Sequence, residues 1–154
     1  MSISLVSPAF AEGQKIPRHF TGDGMDVSPP LRWSDPPQGT KSFTVVCNDP
    51  DAPRGNWVHW VLYDLPRVTR DLPENLPPDP DLNDGSHHGT NDFGYVGYGG
   101  PAPPRGKPHR YSFHVYALDT DELGLSSGAT KDQVLSAMKG HVLEEGELVA
   151  VYAR

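Results

Sequence analysis

Apolar residues fall along this chain in short bursts, separated by proline, glycine and aspartate. Ser42 to Cys47 holds Phe43, Val45 and Val46, aromatic and β-branched residues in a run of strand length. Trp57 to Tyr63 reads WVHWVLY and is apolar on both faces, which predicts a central strand. From about Arg110 to Leu118, Tyr111, Phe113, Val115 and Ala117 alternate with Arg110, Ser112, His114 and Tyr116, so one face turns inward and the other is more polar. Glu147 to Ala153, with Leu148, Val149 and Val151, predicts a last strand. Helical spacing occurs from Thr130 to about His141, where Val134, Leu135, Met138 and Val142 share a face. Thr130 and Gln133 fit a capping box, and Gly140 or Gly146 can end the helix. Leu123 to Leu125 predicts a further short helical turn. The stretches Asp64–Asn91 and Tyr95–His109 are long, proline-rich loops, and long structured loops in a small domain usually carry function. The pattern predicts a mainly β fold with one late helix. No repeat, low-complexity block or linker divides residues 1–154, so one domain is expected.

Composition narrows the function classes. The 17 prolines and 16 glycines among 154 residues agree with a loop-rich fold, and the apolar bursts are too aromatic and β-branched for disorder. A net charge of −7 argues against nucleic-acid binding, which needs a basic stripe, and against broad attraction to anionic membranes. An anionic ligand must therefore be held by local groups, against the global field. The one cysteine, Cys47, allows no intramolecular disulfide and suits a reducing compartment. Met1 to Phe10 lacks the features of a signal peptide, and no apolar run reaches the length of a transmembrane segment. A soluble cytoplasmic protein is the expectation.

Two clusters carry candidate chemistry. One is Asp49-Pro50-Asp51-Ala52-Pro53, directly after a strand, with Trp57 and His59 on the next. The other is the run from Gly99 and Gly100 through Pro103, Pro104 and Arg105, leading into His109, Arg110 and Tyr111. Period two puts Trp57 with His59 on one strand face, and His109 with Tyr111 on another. If the two strands approach, two imidazoles, a phenol, an indole and a carboxylate converge within walls of proline. Asp49 and Asp51 also suit turn formation, and Trp57 and Tyr111 suit packing. The Ala52–Pro53 bond is a candidate for the cis form in so tight a turn. His114 and His141 read as surface or structural residues, His87-His88 as solvated loop, and Arg110 as half of a buried ion pair.

The segments DPDAPRGNWVHW and GPAPPRGKPHRYSFHVYALD resemble the two signatures of the phosphatidylethanolamine-binding protein family, also described as Raf-kinase-inhibitor-like. The opening SPAFAEGQKIPRHFTGDGMDVSPPLRW and the closing KGHVLEEGELVAVYAR are similar to its short prokaryotic, bacterial branch. The resemblance implies a sandwich of two antiparallel sheets with a ligand pocket at one end that takes phosphate-like groups. Carried over residue by residue, that pocket uses Asp49, Asp51, Pro53, Trp57, His59, Gly100, Pro103, Pro104, His109 and Tyr111. The chain departs from the longer eukaryotic members in ending soon after its last strand, without their C-terminal helix, which puts phospholipid and Raf-type kinase binding in doubt. Asn48 stands where the family often has an acid.

The leading expectation is a binding protein for a small anion, not an enzyme, without cofactor or metal, and able to regulate a protein kinase or protease. A carboxylate beside an imidazole raises its pKa above about 6.5, so His59 and His109 are expected to meet an oxyanion as imidazolium. The alternative is a metal-assisted or acid/base hydrolase using His59, His109 and Asp49, since two histidines and a carboxylate suit a metal. No H-E-x-x-H helix, G-x-S-x-G elbow or paired-cysteine ligand set supports it. A homodimer is left open.

Overall fold

The structure, a computed structural model, describes residues 3–154. Eight strands and one α-helix form it. In chain order they are β1 (Ser4–Val6), β2 (Leu31–Ser34), β3 (Ser42–Asp49), β4 (Trp57–Pro66), β5 (Asp71–Leu72), β6 (His87–His88), β7 (His109–Leu118), α1 (Lys131–Met138) and β8 (Val142–Tyr152). A small sheet has the order β1-β2-β5 and a large one β6-β4-β3-β7-β8, antiparallel throughout. This is the expected mainly β, two-sheet arrangement with one late helix.

The sheets close over a core in which Leu5, Leu31 and Trp33 of the small sheet meet Phe43, Val45, Trp60, Phe113 and Val115 of the large one. The opposite face of the large sheet is covered by α1, whose Val134 and Met138 pack on Val61, Tyr63 and Leu118. Strands β3 and β4 are thus buried on both faces, which is why β4 is apolar almost throughout. The capping box forms as expected: Thr130 Oγ1 accepts from the Gln133 N–H at 3.2 Å, and Gln133 Oε1 accepts from the Thr130 N–H at 3.0 Å. The helix ends earlier than its apolar spacing suggests, at Met138, because Lys139 leaves helical geometry and Gly140 turns at φ 85°. Residues 142–146 then join the last strand, which starts at Val142 instead of Glu147, and Leu123–Leu125 forms no helix. No helix among the described residues is long and apolar enough to cross a membrane.

Two features of the large sheet position the candidate residues. The β3–β4 register shifts between Cys47↔Trp60 and Asn48↔Val58, placing one extra residue on β4 at His59. Such a bulge resets the alternation. It lets Trp57 and His59 face a cavity while Trp60 and Leu62 beyond it enter the core. The second feature is β6, where the sequence reading placed solvated loop. His88 is 1% exposed, and His87 and His88 pair with Tyr63 and Leu62.

Candidate functional site

At the end of β3, the start of β4 and the start of β7 lies a cavity of about 280 Å³. Asp49 comes from β3, Trp57 and His59 from β4, and His109 and Tyr111 from β7. Loops supply Pro53, Pro103 and Pro104. These eight are sequence candidates that the fold brings together. Period two holds for each pair, since the members of Trp57/His59 and of His109/Tyr111 all reach the same cavity.

The other two candidates lie elsewhere. Asp51 does not line the cavity; it accepts hydrogen bonds from the backbone N–H, Nε and Nη2 of Arg110, at 2.8 to 2.9 Å. The guanidinium holds its pKa down at about 2. This pair ties the loop after β3 to the start of β7, and it is exposed on the Arg110 side, not buried as the sequence reading had it. Gly100 also stays outside the cavity. Its N–H donates to Asp26 Oδ1 at 2.7 Å, and a Cβ there would sit 2.4 Å from the Phe20 carbonyl oxygen. Glycine is needed at this position for close backbone packing beneath the loop. No peptide bond among the described residues is cis, Ala52–Pro53 included. That turn closes instead through the Gly55 N–H donating to the Ala52 carbonyl at 2.9 Å, with Gly55 at φ 98°.

Phe93 was not among the candidates, yet it forms a wall. Its ring meets Trp57 edge-on at 5.5 Å and His59 at 5.4 Å between centroids. The available signal was an aromatic pair, Phe93 and Tyr95, inside a polar stretch, and both side chains are exposed. Ala52, Arg54 and Ala102 complete the lining.

The polar atoms define the chemistry. His109 donates from Nδ1 to Asp49 Oδ2 at 2.7 Å, and Asp49 Oδ1 accepts from the Asp51 N–H at 2.7 Å. Asp49 therefore both orients an imidazole and fixes a turn. His59, 2% exposed, donates from Nδ1 to the Gly99 carbonyl at 2.6 Å. A carbonyl can only accept, so Nδ1 carries the proton, and Nε2 of the neutral ring holds a lone pair. His59 Nε2 and the Tyr111 hydroxyl are both buried and have no hydrogen-bond partner among the described residues. Their rings meet edge to face at 5.3 Å.

Burial pushes the His59 pKa below its ordinary 6.5, outweighing the Gly99 hydrogen bond and the fields of Asp49, Asp26 and Asp92. The expectation of a standing imidazolium at His59 is thereby corrected: desolvation, not the carboxylate, dominates that ring. Burial, and then Asp49, push the Tyr111 phenol upward, so its hydroxyl stays protonated and available as a donor. No group of three or more His, Cys, Asp or Glu side chains among the described residues could hold a metal ion.

Comparison with known proteins gives a consistent result. The model of the family described as phosphatidylethanolamine-binding protein matches residues 6–153. A UPF0098 protein of Aquifex aeolicus is 46% identical over 153 residues, covering 99% of this chain and 89% of its own. The UPF0098 protein YbhB of Escherichia coli K12 is 42% identical, covering 98% and 100%. Among solved structures, E. coli YbcL, described as a member of the mammalian PEBP family, superposes with a TM-score of 0.91 at 34% identity. It covers 100% of this chain and 99% of its own. A structure from Chlamydia trachomatis described as a phosphatidylethanolamine-binding protein homologue gives 0.89 at 37%, covering 99% and 98%.

Proposed function

Because this chain belongs to the phosphatidylethanolamine-binding protein family, we propose that its cavity binds a small oxyanion, phosphate-like or carried on a phosphorylated small molecule, without transforming it. The observation that carries this reading is the pair of buried, unpartnered polar atoms, His59 Nε2 and the Tyr111 hydroxyl. An unpartnered buried polar group costs about 1–3 kcal/mol, so a ligand atom that accepts from it recovers that free energy on binding. The phenol donates as it stands. His59 donates once Nε2 gains a proton, and an oxyanion stabilises that protonated ring. The apolar walls of Trp57, Phe93, Pro53 and Pro103 suit a carbon body attached to the anion.

The way the carboxylate is employed supports the binding reading. Both oxygens of Asp49 are occupied by internal hydrogen bonds, so it serves as a fixed support and not as a mobile base. A protein kinase or protease regulated by occupancy would meet the rim formed by Arg54, Pro104 and Arg105, all exposed.

The test uses a short alkyl sulfonate, which stays monoanionic across the working range. His59→Asn keeps a donor where Nδ1 meets Gly99 and removes Nε2. Calorimetric titration should show a loss of roughly 10- to 150-fold, corresponding to about 1.5–3 kcal/mol for one hydrogen bond to a charged group. An affinity equal to that of the parent would overturn the assignment of the pocket.

A further inference from the structure

A second cavity, of about 550 Å³, lies beside the first and is lined by Lys15, Arg18, Asp23, Arg105, Tyr152 and Arg154. Four cations around one depression are unexpected in a chain with 20 acidic and 13 basic residues. The one carboxylate there is already engaged. Asp23 accepts from the Tyr152 hydroxyl at 2.7 Å and from Arg154 Nε at 3.0 Å, and Arg154 Nη2 lies 2.8 Å from it. Arg18 turns its Nε to the Asp23 backbone carbonyl. Lys15 rests its ammonium 5.6 Å from the centre of the Tyr152 ring. Neither Lys15 nor Arg105 has a carboxylate partner among the described residues. Among the side chains that line it, Asp23 against the four cations leaves a charge of +3.

The two cavities adjoin. His109, which lines the first, is the register partner of Tyr152, which lines the second, and cross-strand partners project to the same face. Pro104 and Arg105, neighbours in one loop, face one cavity each. The Arg154 charge also acts on the Tyr111 hydroxyl at the floor of the first.

We propose that the basic cavity is a second oxyanion subsite, so that the ligand of this protein is a small molecule carrying two phosphoryl-type groups, one seated at His59 and Tyr111 and the other between Lys15 and Arg105. The inference rests on the reading of the first cavity as an anion site. Tethering turns the second contact into an intramolecular one, so affinity rises without new groups on the protein and passes through a maximum as the tether matches the span.

The experiment compares alkane-α,ω-disulfonates of increasing chain length with monosulfonates of the same length, by calorimetry at physiological ionic strength. The parent should bind the best disulfonate at least 10-fold more tightly than its monosulfonate. In the exposed double variant Lys15→Ala/Arg105→Ala that advantage should fall to the statistical factor of about two, with monosulfonate affinity within about twofold of the parent. Disulfonates that gain only the statistical factor in the parent, or keep their full gain in the double variant, would overturn the second subsite and leave the first standing. Monosulfonate binding that is indifferent to His59→Asn would instead remove the first site and this inference with it.

Discussion

Tyr111→Phe is expected to make the free protein more stable and its anion binding weaker. The Tyr111 side chain is 1% exposed, and its hydroxyl is buried without a partner among the described residues. Removing that oxygen leaves the ring in the core beside His59 and relieves a desolvation penalty of about 1–3 kcal/mol. In a domain of this length each kcal/mol moves the melting temperature by about 2–4 °C, so the gain is readable by thermal unfolding. The same change deletes a donor aimed into the cavity, and sulfonate affinity should fall by about 10-fold or more. Opposite signs for stability and binding mark a group kept for a ligand and not for the fold. A variant that melts lower and binds as the parent does would assign the hydroxyl to structure.

His88 should show the reverse pattern, with a large effect on stability and none on the pocket. Its protonation state is dictated by its neighbours. The Asp79 carbonyl, 2.9 Å from Nδ1, can only accept, and the Trp60 indole N–H, 3.0 Å from Nε2, can only donate. The ring is therefore neutral, protonated at Nδ1, and burial depresses its pKa. A folded-state pKa below the unfolded value of about 6.5 means that the unfolded chain takes up the proton first. The stability His88 contributes is complete above about pH 6.5 and is lost as pH falls through the depressed pKa of the folded state. His59 and His114, also depressed mainly by burial, tilt the curve the same way. His88→Leu should lower neutral-pH stability by about 1–3 kcal/mol, since it strands the Trp60 N–H, and should flatten the loss between about pH 6.5 and the carboxylate range. Denaturant unfolding across pH checks both. An unchanged pH slope would mean that the ring is not held neutral by Trp60.

Much of this fold was legible because local and tertiary demands agree. Strand β7 alternates because one face is core, β4 is apolar almost throughout because both faces are covered, and the Thr130/Gln133 box stands at the start of α1. The second sheet was implied by the family resemblance alone, and its strands were not legible in the pattern, since β1 and β5 have three and two residues, too few for a period to show. His88 was misread because a two-residue strand inside a polar stretch carries no apolar pattern, and its burial depends on Trp60 from another strand. At the site, residue types and period two pointed to Asp49, Trp57, His59, His109 and Tyr111, and the family resemblance added Pro53, Pro103 and Pro104. They could not reveal the bulge at His59, the Arg110 clamp on Asp51, or the packing of Gly100 against Phe20. Each of those depends on a partner brought in by the tertiary fold. The charge of His59 was inferred from a neighbouring carboxylate, whereas burial decides it.

The central claim, that His59 is neutral in the empty site and protonated in the complex, is tested most directly by counting protons. Sulfonate binding is measured by calorimetry at about pH 7.5 in buffers of different ionisation enthalpy, on the parent and on His59→Asn. The account predicts a heat that varies with the buffer in the sense of proton uptake by the protein. Uptake should diminish as the pH is lowered through the pKa of the free ring, and His59→Asn should remove the His59 share. A parent whose binding heat is independent of the buffer would contradict it, because the anion would then be held by groups that do not change protonation.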